Sequence, residues 1–201
     1  ICWGSHNGDM VSSDAARRAA GVEALRAALT SAGELGAVGV IYVPAFNKEQ
    51  ELDNREIRKI LIDTLPGIGE HAVKHNTHVI LEPLNRNEAF FLRQVADAAS
   101  IARDCISPGI AAMGDFYHMF IEEPSDMGAF ISGGPLLRHV HLASRTRVLP
   151  GQDERSFVAG FRGLKWIGYR DYCSFECGVK GDVETEIPRS MEFLRRQWAE
   201  A

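Results

Sequence analysis

Short apolar runs rich in β-branched residues alternate along this chain with longer segments whose apolar positions recur at helical spacing. The short runs read as buried strands and the longer segments as amphipathic helices. Strand-type runs fall at residues 1–4, 38–45, 78–84, 110–116, 139–143 and 172–177. Ser12, Ser13 or Asp14 can cap a helix that carries Val22, Leu25, Leu29 and Ala32 on one face. Asp53 or Asn54 opens a second, with Ile57, Ile60 and Leu61 as its stripe, and Pro66 is expected to kink or split it. A third carries Phe91, Val95, Ala98 and Ala102. The last carries Ile187, Met191, Leu194 and Trp198, and shorter helices are expected near 127–137 and 157–167.

Strands that alternate with helices build a parallel sheet with crossover helices. A doubly wound sheet would satisfy the same pattern, but the glycine-rich phosphate turn that marks it is missing after the first strand. The expected architecture is therefore α/β, a (β/α)8 TIM barrel, in one continuous domain over residues 1–201 with no linker and no change of composition. A full barrel of units this size takes about 250 residues. Two strand–helix units and the start of a third are therefore expected upstream of Ile1, where ICWGS reads as the tail of a strand.

Strand parity brings in the chemistry. Glu82, Asp115, His141 and Glu176 each stand at the C-terminal end of an apolar run, and a barrel gathers such ends at one mouth. Side chains alternate between the barrel interior and the helix layer. Ile80, Glu82 and Leu84 thus share a face, as do His139 and His141, and as do Tyr172, Ser174 and Glu176. A lone carboxylate in an apolar helix–sheet layer is too costly, so Glu82 must face the mouth. Cys173, Phe175 and Cys177 are left to pack beneath helices. Taken singly, Asp115 reads equally well as a helix cap, and His141 reads more often as a hydrogen-bonded core histidine. Four such residues on four strand ends point jointly to a site, and three carboxylates with an imidazole can hold a divalent metal.

Composition narrows the partners. The chain has 201 residues, 45% of them hydrophobic, which is enough to bury a sizeable core. A formal charge of −5 with no run of Lys or Arg argues against nucleic acid and against an anionic membrane surface. No stretch reaches the roughly 20 apolar residues that span a bilayer, so a soluble enzyme with a small neutral or weakly charged substrate is expected; a cytoplasmic location is the working expectation, and any signal peptide would lie upstream of Ile1. Cys2, Cys105, Cys173 and Cys177 lack zinc-ribbon spacing and read as reduced core cysteines.

These motifs resemble the sugar isomerases and epimerases with a xylose-isomerase-like barrel, and among them the ketose 3-epimerases. LEPLNR is similar to that family's metal-binding glutamate segment, which implies Glu82 as a ligand with Asn85 and Arg86 behind it. DFYH implies Asp115 as a ligand and His118 as a substrate contact. HVHLASRTRVLPG implies His141 as a ligand and Arg147 as a substrate contact, and Glu176 closes the set. Glu88 matches a position that supports the Asp-x-x-His histidine. Ser144 stands where many relatives carry an acidic residue, and the loop 152–155 is unusually polar, which leaves the sugar open.

The ligand set suits one divalent ion, Mn²⁺ first, with Mg²⁺, Co²⁺ or Zn²⁺ also accommodated. The resemblance implies a sugar or keto-sugar substrate, with proton transfer beside its carbonyl through an enediolate. Glu82 and Glu176 would act on opposite faces of that substrate. His118, His139 and Arg147 would bind hydroxyls or a phosphate, and His6 and Trp3 would line the mouth, although Trp3 reads equally as packing. His71, His75 and His78 read as structural. A homo-oligomer is compatible with this reading. The alternative on the same chemistry is a dehydratase or lyase acting on keto-sugars or keto-glycosides. A base-repair endonuclease would need a basic groove and further histidines that the chain lacks, and a non-catalytic binding module is the weakest reading.

Overall fold

The computed structural model describes residues 1–3 and 8–201. Among the described residues five strands, β1 (Val40–Tyr42), β2 (Val79–Leu81), β3 (Ile110–Asp115), β4 (Leu137–Leu142) and β5 (Cys173–Phe175), form one parallel sheet in chain order. Cys2 adds an isolated parallel bridge to Ile41. Every strand lies beside its successor, without the reversal of order that defines a doubly wound sheet, so the arrangement is that of a barrel wall.

The helices are α1 (Ala15–Glu34), α2 (Asn54–Lys74), α3 (Val95–Asp104), α4 (Phe116–Glu122), α5 (Asp126–Gly133), α6 (Val158–Trp166) and α7 (Val183–Glu200). Asp14 caps α1 by accepting from the Ala16 N–H. Asp53 and Glu56 close a reciprocal capping box on α2, which satisfies amide groups that a helix start leaves unpaired. None of the described helices is long and apolar enough to cross a membrane.

Parity sorts the core into layers. Val40, Tyr42, Val79, Leu81, Ile110 and Ala112 face the helices, where Leu25, Leu29, Ile57, Leu61, Leu65 and Ile68 meet them. Each such fully buried aliphatic side chain contributes about 1.5–3 kcal/mol. The opposite parity, Ile41, Ile80, Ala111 and Met113, forms a small interior layer. An aromatic cluster of Phe116, Phe130, Phe157 and Phe161 fills the space around α4, α5 and α6. Between α2 and β3 the backbones nearly touch. A Cβ on Gly109 would stand 2.1 Å from the Gly69 carbonyl oxygen, so neither chain can yield to a side chain there.

Several expectations change. Pro66 lies inside α2 without splitting it. Its missing hydrogen bond and the clash of its ring with the preceding turn together cost about 3 kcal/mol, and Leu61, Leu65, Ile68 and Ala72, buried on both sides of it, hold the two halves to the sheet. Phe91 precedes α3, which starts only at Val95, and packs against the core from the preceding loop. The short α4 was not anticipated. The cysteines are free, but only Cys105 is buried. Cys2, bridged to β1, is exposed; Cys173 is exposed and Cys177 intermediate because β5 has no strand on its outer side among the described residues.

Candidate metal centre and active site

Register brings the four strand ends together. Asp115, the last residue of β3, is paired directly with His141 of β4, whose next neighbour across the sheet is Ser174 of β5. Glu82 extends β2 by one residue, with its N–H donating to the Tyr42 carbonyl, and Glu176 extends β5 in the same way toward Leu142. All four therefore stand at one end of the sheet. Glu82 and Asp115 continue the parity of Ile80 and Met113 and cover that interior layer.

Donor atoms of Glu82, Asp115, His141 and Glu176 all lie within 4.8 Å of one another. From His141 Nδ1 the distances are 3.5 Å to Glu82 Oε1, 3.6 Å to Asp115 Oδ2 and 3.5 Å to Glu176 Oε2. Glu82 is 6% exposed, Asp115 0% and His141 3%. Glu82 Oε1, Asp115 Oδ2 and His141 Nδ1 are buried with no hydrogen-bond partner among the described residues. Buried polar atoms without partners are costly. Three of them turned toward one point form a cradle that a cation would satisfy, and the mostly oxygen donor set fits a divalent ion.

Asp115 has a second task. Its Oδ1 accepts from the Tyr117 N–H at 2.7 Å and caps α4, so both of its sequence readings hold at once, one per oxygen. Electrostatics follow the crowding of acids. Burial would push the His141 imidazole down, but Asp115, Glu176 and Glu82 override it and raise it to about 12. Burial raises Glu82. It works the same way on Glu176, where His141 and Arg147 outweigh it and hold the carboxyl down at about 2.

Around the cradle, Arg147 donates from Nη2 to Glu176 Oε2 at 2.7 Å and lies over the Tyr117 ring, 4.7 Å from its centroid. His118 is 2% exposed, with Nε2 3.9 Å from Asp115 Oδ2. Glu88 Oε1 stands 3.8 Å from His118 Nδ1 and 3.7 Å from Arg147 Nη1. Asn85, fully buried, contacts the His118 ring directly.

Other candidates stand apart. His139 lies one layer below the cradle, level with Met113, bonded to Ser174 Oγ at 2.8 Å, and burial with neighbouring His141 lowers it to about 4. Trp3 packs on Tyr42 at 5.7 Å, against the helix-side core. Its neighbour Cys2 takes the other face, with Sγ within 4.8 Å of donor atoms of His141 and Glu176, a placement that its reading as a core cysteine missed. Arg86 turns away to Glu122, 2.7 Å from Nε to Oε1, and fastens its loop to the end of α4. His6 lies outside the described residues. His71 bonds Thr30 Oγ1 and the Arg26 carbonyl between α1 and α2, and His78, just before β2, bonds the Val38 carbonyl. Nothing in the spacing signals Tyr117 as the platform for Arg147.

Over residues 1–197 the chain matches the family described as xylose isomerase-like TIM barrel. It is 30% identical over 190 residues to the 3-dehydro-D-guloside 4-epimerase of Escherichia coli K12, which covers 89% of this chain and 72% of that protein. It is 28% identical over 197 residues to the L-ribulose 3-epimerase of Mesorhizobium japonicum, over 96% of this chain and 66% of that one. Among solved structures, apo 3-keto-D-glucoside 4-epimerase from E. coli superposes with a TM-score of 0.86 at 28% identity, over 97% of this chain and 77% of that chain. The chain thus spans roughly two thirds to three quarters of the length of these sugar epimerases. Strand order, the gathered strand ends and a match along nearly the whole chain lead to one conclusion: this chain belongs to the xylose isomerase-like TIM barrel family.

Proposed function

We propose that this chain carries the active site of a divalent-metal-dependent epimerase or isomerase of keto-sugars. The observation that supports this reading is the cradle itself: four donor atoms within 4.8 Å, three of them buried and without hydrogen-bond partners among the described residues. Glu82, Asp115, His141 and Glu176 would hold the ion, with Mn²⁺ the first choice. When bound, it would polarise a substrate carbonyl and offset the negative charge that builds as the neighbouring C–H loses its proton.

The protein's own groups do the rest. Glu82 and Glu176 come from β2 and β5, with β3 and β4 between them. One takes the proton from the carbon beside the carbonyl and the other returns one from the opposite side, which inverts that stereocentre. Such transfers typically contribute about 10²–10⁴-fold. Return of the proton to the adjacent carbon would yield an aldose–ketose exchange instead. Arg147 and His118 orient substrate oxygens at the rim. Beyond Glu88 a trough of about 380 Å³, lined by Phe46, Asn47, Lys48, Asn87 and Glu88, has room for the rest of a larger keto-sugar.

A panel of ketoses and keto-glycosides, incubated with the protein in D₂O, tests this reading by NMR. Deuterium is expected at the inverted carbon, and chelator is expected to stop the reaction. Glu82→Gln and Glu176→Gln should each reduce turnover by at least about 10²-fold. Turnover unaffected by chelator would overturn the proposal, and loss of a substituent with formation of a double bond would shift it to elimination.

A further inference from the structure

We propose that Asn85 is a positioning residue that locks His118 into a single neutral tautomer, with its proton on Nε2, so that His118 serves as a fixed donor to a substrate oxygen. The inference deepens the keto-sugar reading and rests on it for the identity of the acceptor, but the tautomer itself follows from hydrogen bonds alone.

Two donors converge on His118 Nδ1: the Asn85 backbone N–H at 3.1 Å and the Asn85 side-chain Nδ2 at 2.8 Å. The orientation of that amide is determined by its other contacts. Nδ2 also donates to Glu88 Oε1 at 2.8 Å, and Oδ1 accepts from the Asn87 N–H at 2.9 Å. Turning the amide over would set its oxygen against the Glu88 carboxylate and its NH₂ against the Asn87 N–H, two donor–donor or acceptor–acceptor clashes. Both hydrogens of Nδ2 are therefore spent, one on Glu88 and one on the ring. A proton on Nδ1 would collide with two N–H groups, so Nδ1 accepts and Nε2 carries the hydrogen.

That hydrogen is aimed usefully. Nε2 is 3.9 Å from Asp115 Oδ2, beyond hydrogen-bond length, on the side of the ring that faces the cradle. A substrate oxygen held there would meet a preset N–H. Glu88, at 3.8 Å from Nδ1, does not bond the imidazole; it acts through Asn85 by holding the amide. The ring is 2% exposed and Asn85 0%, so water does not compete for Nδ1.

The test uses the full chain, metal-free, labelled with ¹⁵N-histidine, with the His118 ring signals assigned by their loss in His118→Gln. Wild-type protein is expected to show an unprotonated Nδ1 coupled to a protonated Nε2. Asn85→Asp replaces the side-chain donor by an acceptor of the same shape but keeps the backbone N–H at Nδ1, so it is expected to split the ring between Nδ1–H and Nε2–H forms in place of the single Nε2–H signal. In the metal-loaded protein the same variant should raise KM for a turned-over keto-sugar by about tenfold, the loss expected for one hydrogen bond. Glu88→Gln keeps an acceptor for Nδ2 and should leave the ring signals in place. A protonated Nδ1 in the wild type overturns the proposal whatever the turnover, and it does so even if Asn85→Asp fails to fold. An Nε2–H ring in a protein that turns over no keto-sugar would strike the functional reading and leave the tautomer standing.

Discussion

Arg147 reaches Glu176 across 2.7 Å from a backbone held in the left-handed region, with φ at 56°. For a non-glycine residue that conformation costs roughly 1–2 kcal/mol. The turn is closed by an Arg147 N–H to Ser144 carbonyl bond and a Gly178 N–H to Arg147 carbonyl bond, which tie the loop after β4 to the end of β5. Strain retained beside a candidate catalytic carboxylate is a pattern of functional sites.

Arg147 therefore separates stability from function. Arg147→Gly is expected to be more stable than Arg147→Ala by about 1 kcal/mol, since glycine accepts the positive φ without penalty. Urea unfolding measures the difference. Both variants are expected to lose turnover alike, because Glu176 loses its charged partner in each. An alanine variant as stable as the glycine one would refute the strain.

Metal binding should release a proton. The three carboxylates hold the His141 imidazole up at about 12, so a metal ion must displace a proton that is present at any ordinary pH. Ligands bind metal deprotonated, so affinity must rise with pH, by about tenfold per unit for one displaced proton. Calorimetry with Mn²⁺ between pH 6 and about 8, in buffers of different ionisation enthalpy, reads both slope and proton count. His141→Ala or Asp115→Asn should cost more than the about 10–100-fold typical of residues behind the ligands.

Arg155 anchors the helices behind the site. Its Nη2 bonds both carboxylate oxygens of Asp126, at 3.0 and 2.9 Å, and its guanidinium lies 5.4, 5.1 and 5.7 Å from the Phe116, Phe120 and Phe157 rings. Arg155→Ala should destabilise by about 3 kcal/mol, since it leaves a half-buried carboxylate unpaired. The double variant Arg155→Ala/Asp126→Ala should lose less than the sum of its two single variants in chemical denaturation. Strict additivity would mean that the pair is not coupled.

Glu51 should govern acid stability at the start of α1. The Ser13 N–H and Oγ, Ser12 Oγ and Arg17 all bond its carboxylate, at 2.9, 2.8, 2.8 and 2.6 Å. The Ser13 backbone bond leads in holding it down at about 2, against an ordinary value of 4.5. A lowered carboxyl stabilises fully above its unfolded value, and that contribution is lost as pH falls through the folded one. Melting temperatures from pH 6 to about 2 should fall less steeply in Glu51→Gln than in the wild type.

What the sequence determined by itself is the part that depends on neighbours in the chain. Alternation of apolar residues sets which face each side chain takes, so strand positions, the α/β barrel reading and the inward parity of Glu82, His141 and Glu176 were all legible. The cost of burying a lone charge then selected the mouth for them. Tertiary structure decided what depends on distant partners. Pro66 stayed within α2 because the packed stripe on either side of it outweighs one lost hydrogen bond. Arg86 turned to Glu122, and Asn85 to His118, because the loop after β2 meets α4 in space, contacts between positions 36 and 33 residues apart that no local pattern encodes. The pairing of Asp115 with His141 came from sheet register across a bulge between Ala112 and Met113, and register is settled only when whole strands and their helices pack together.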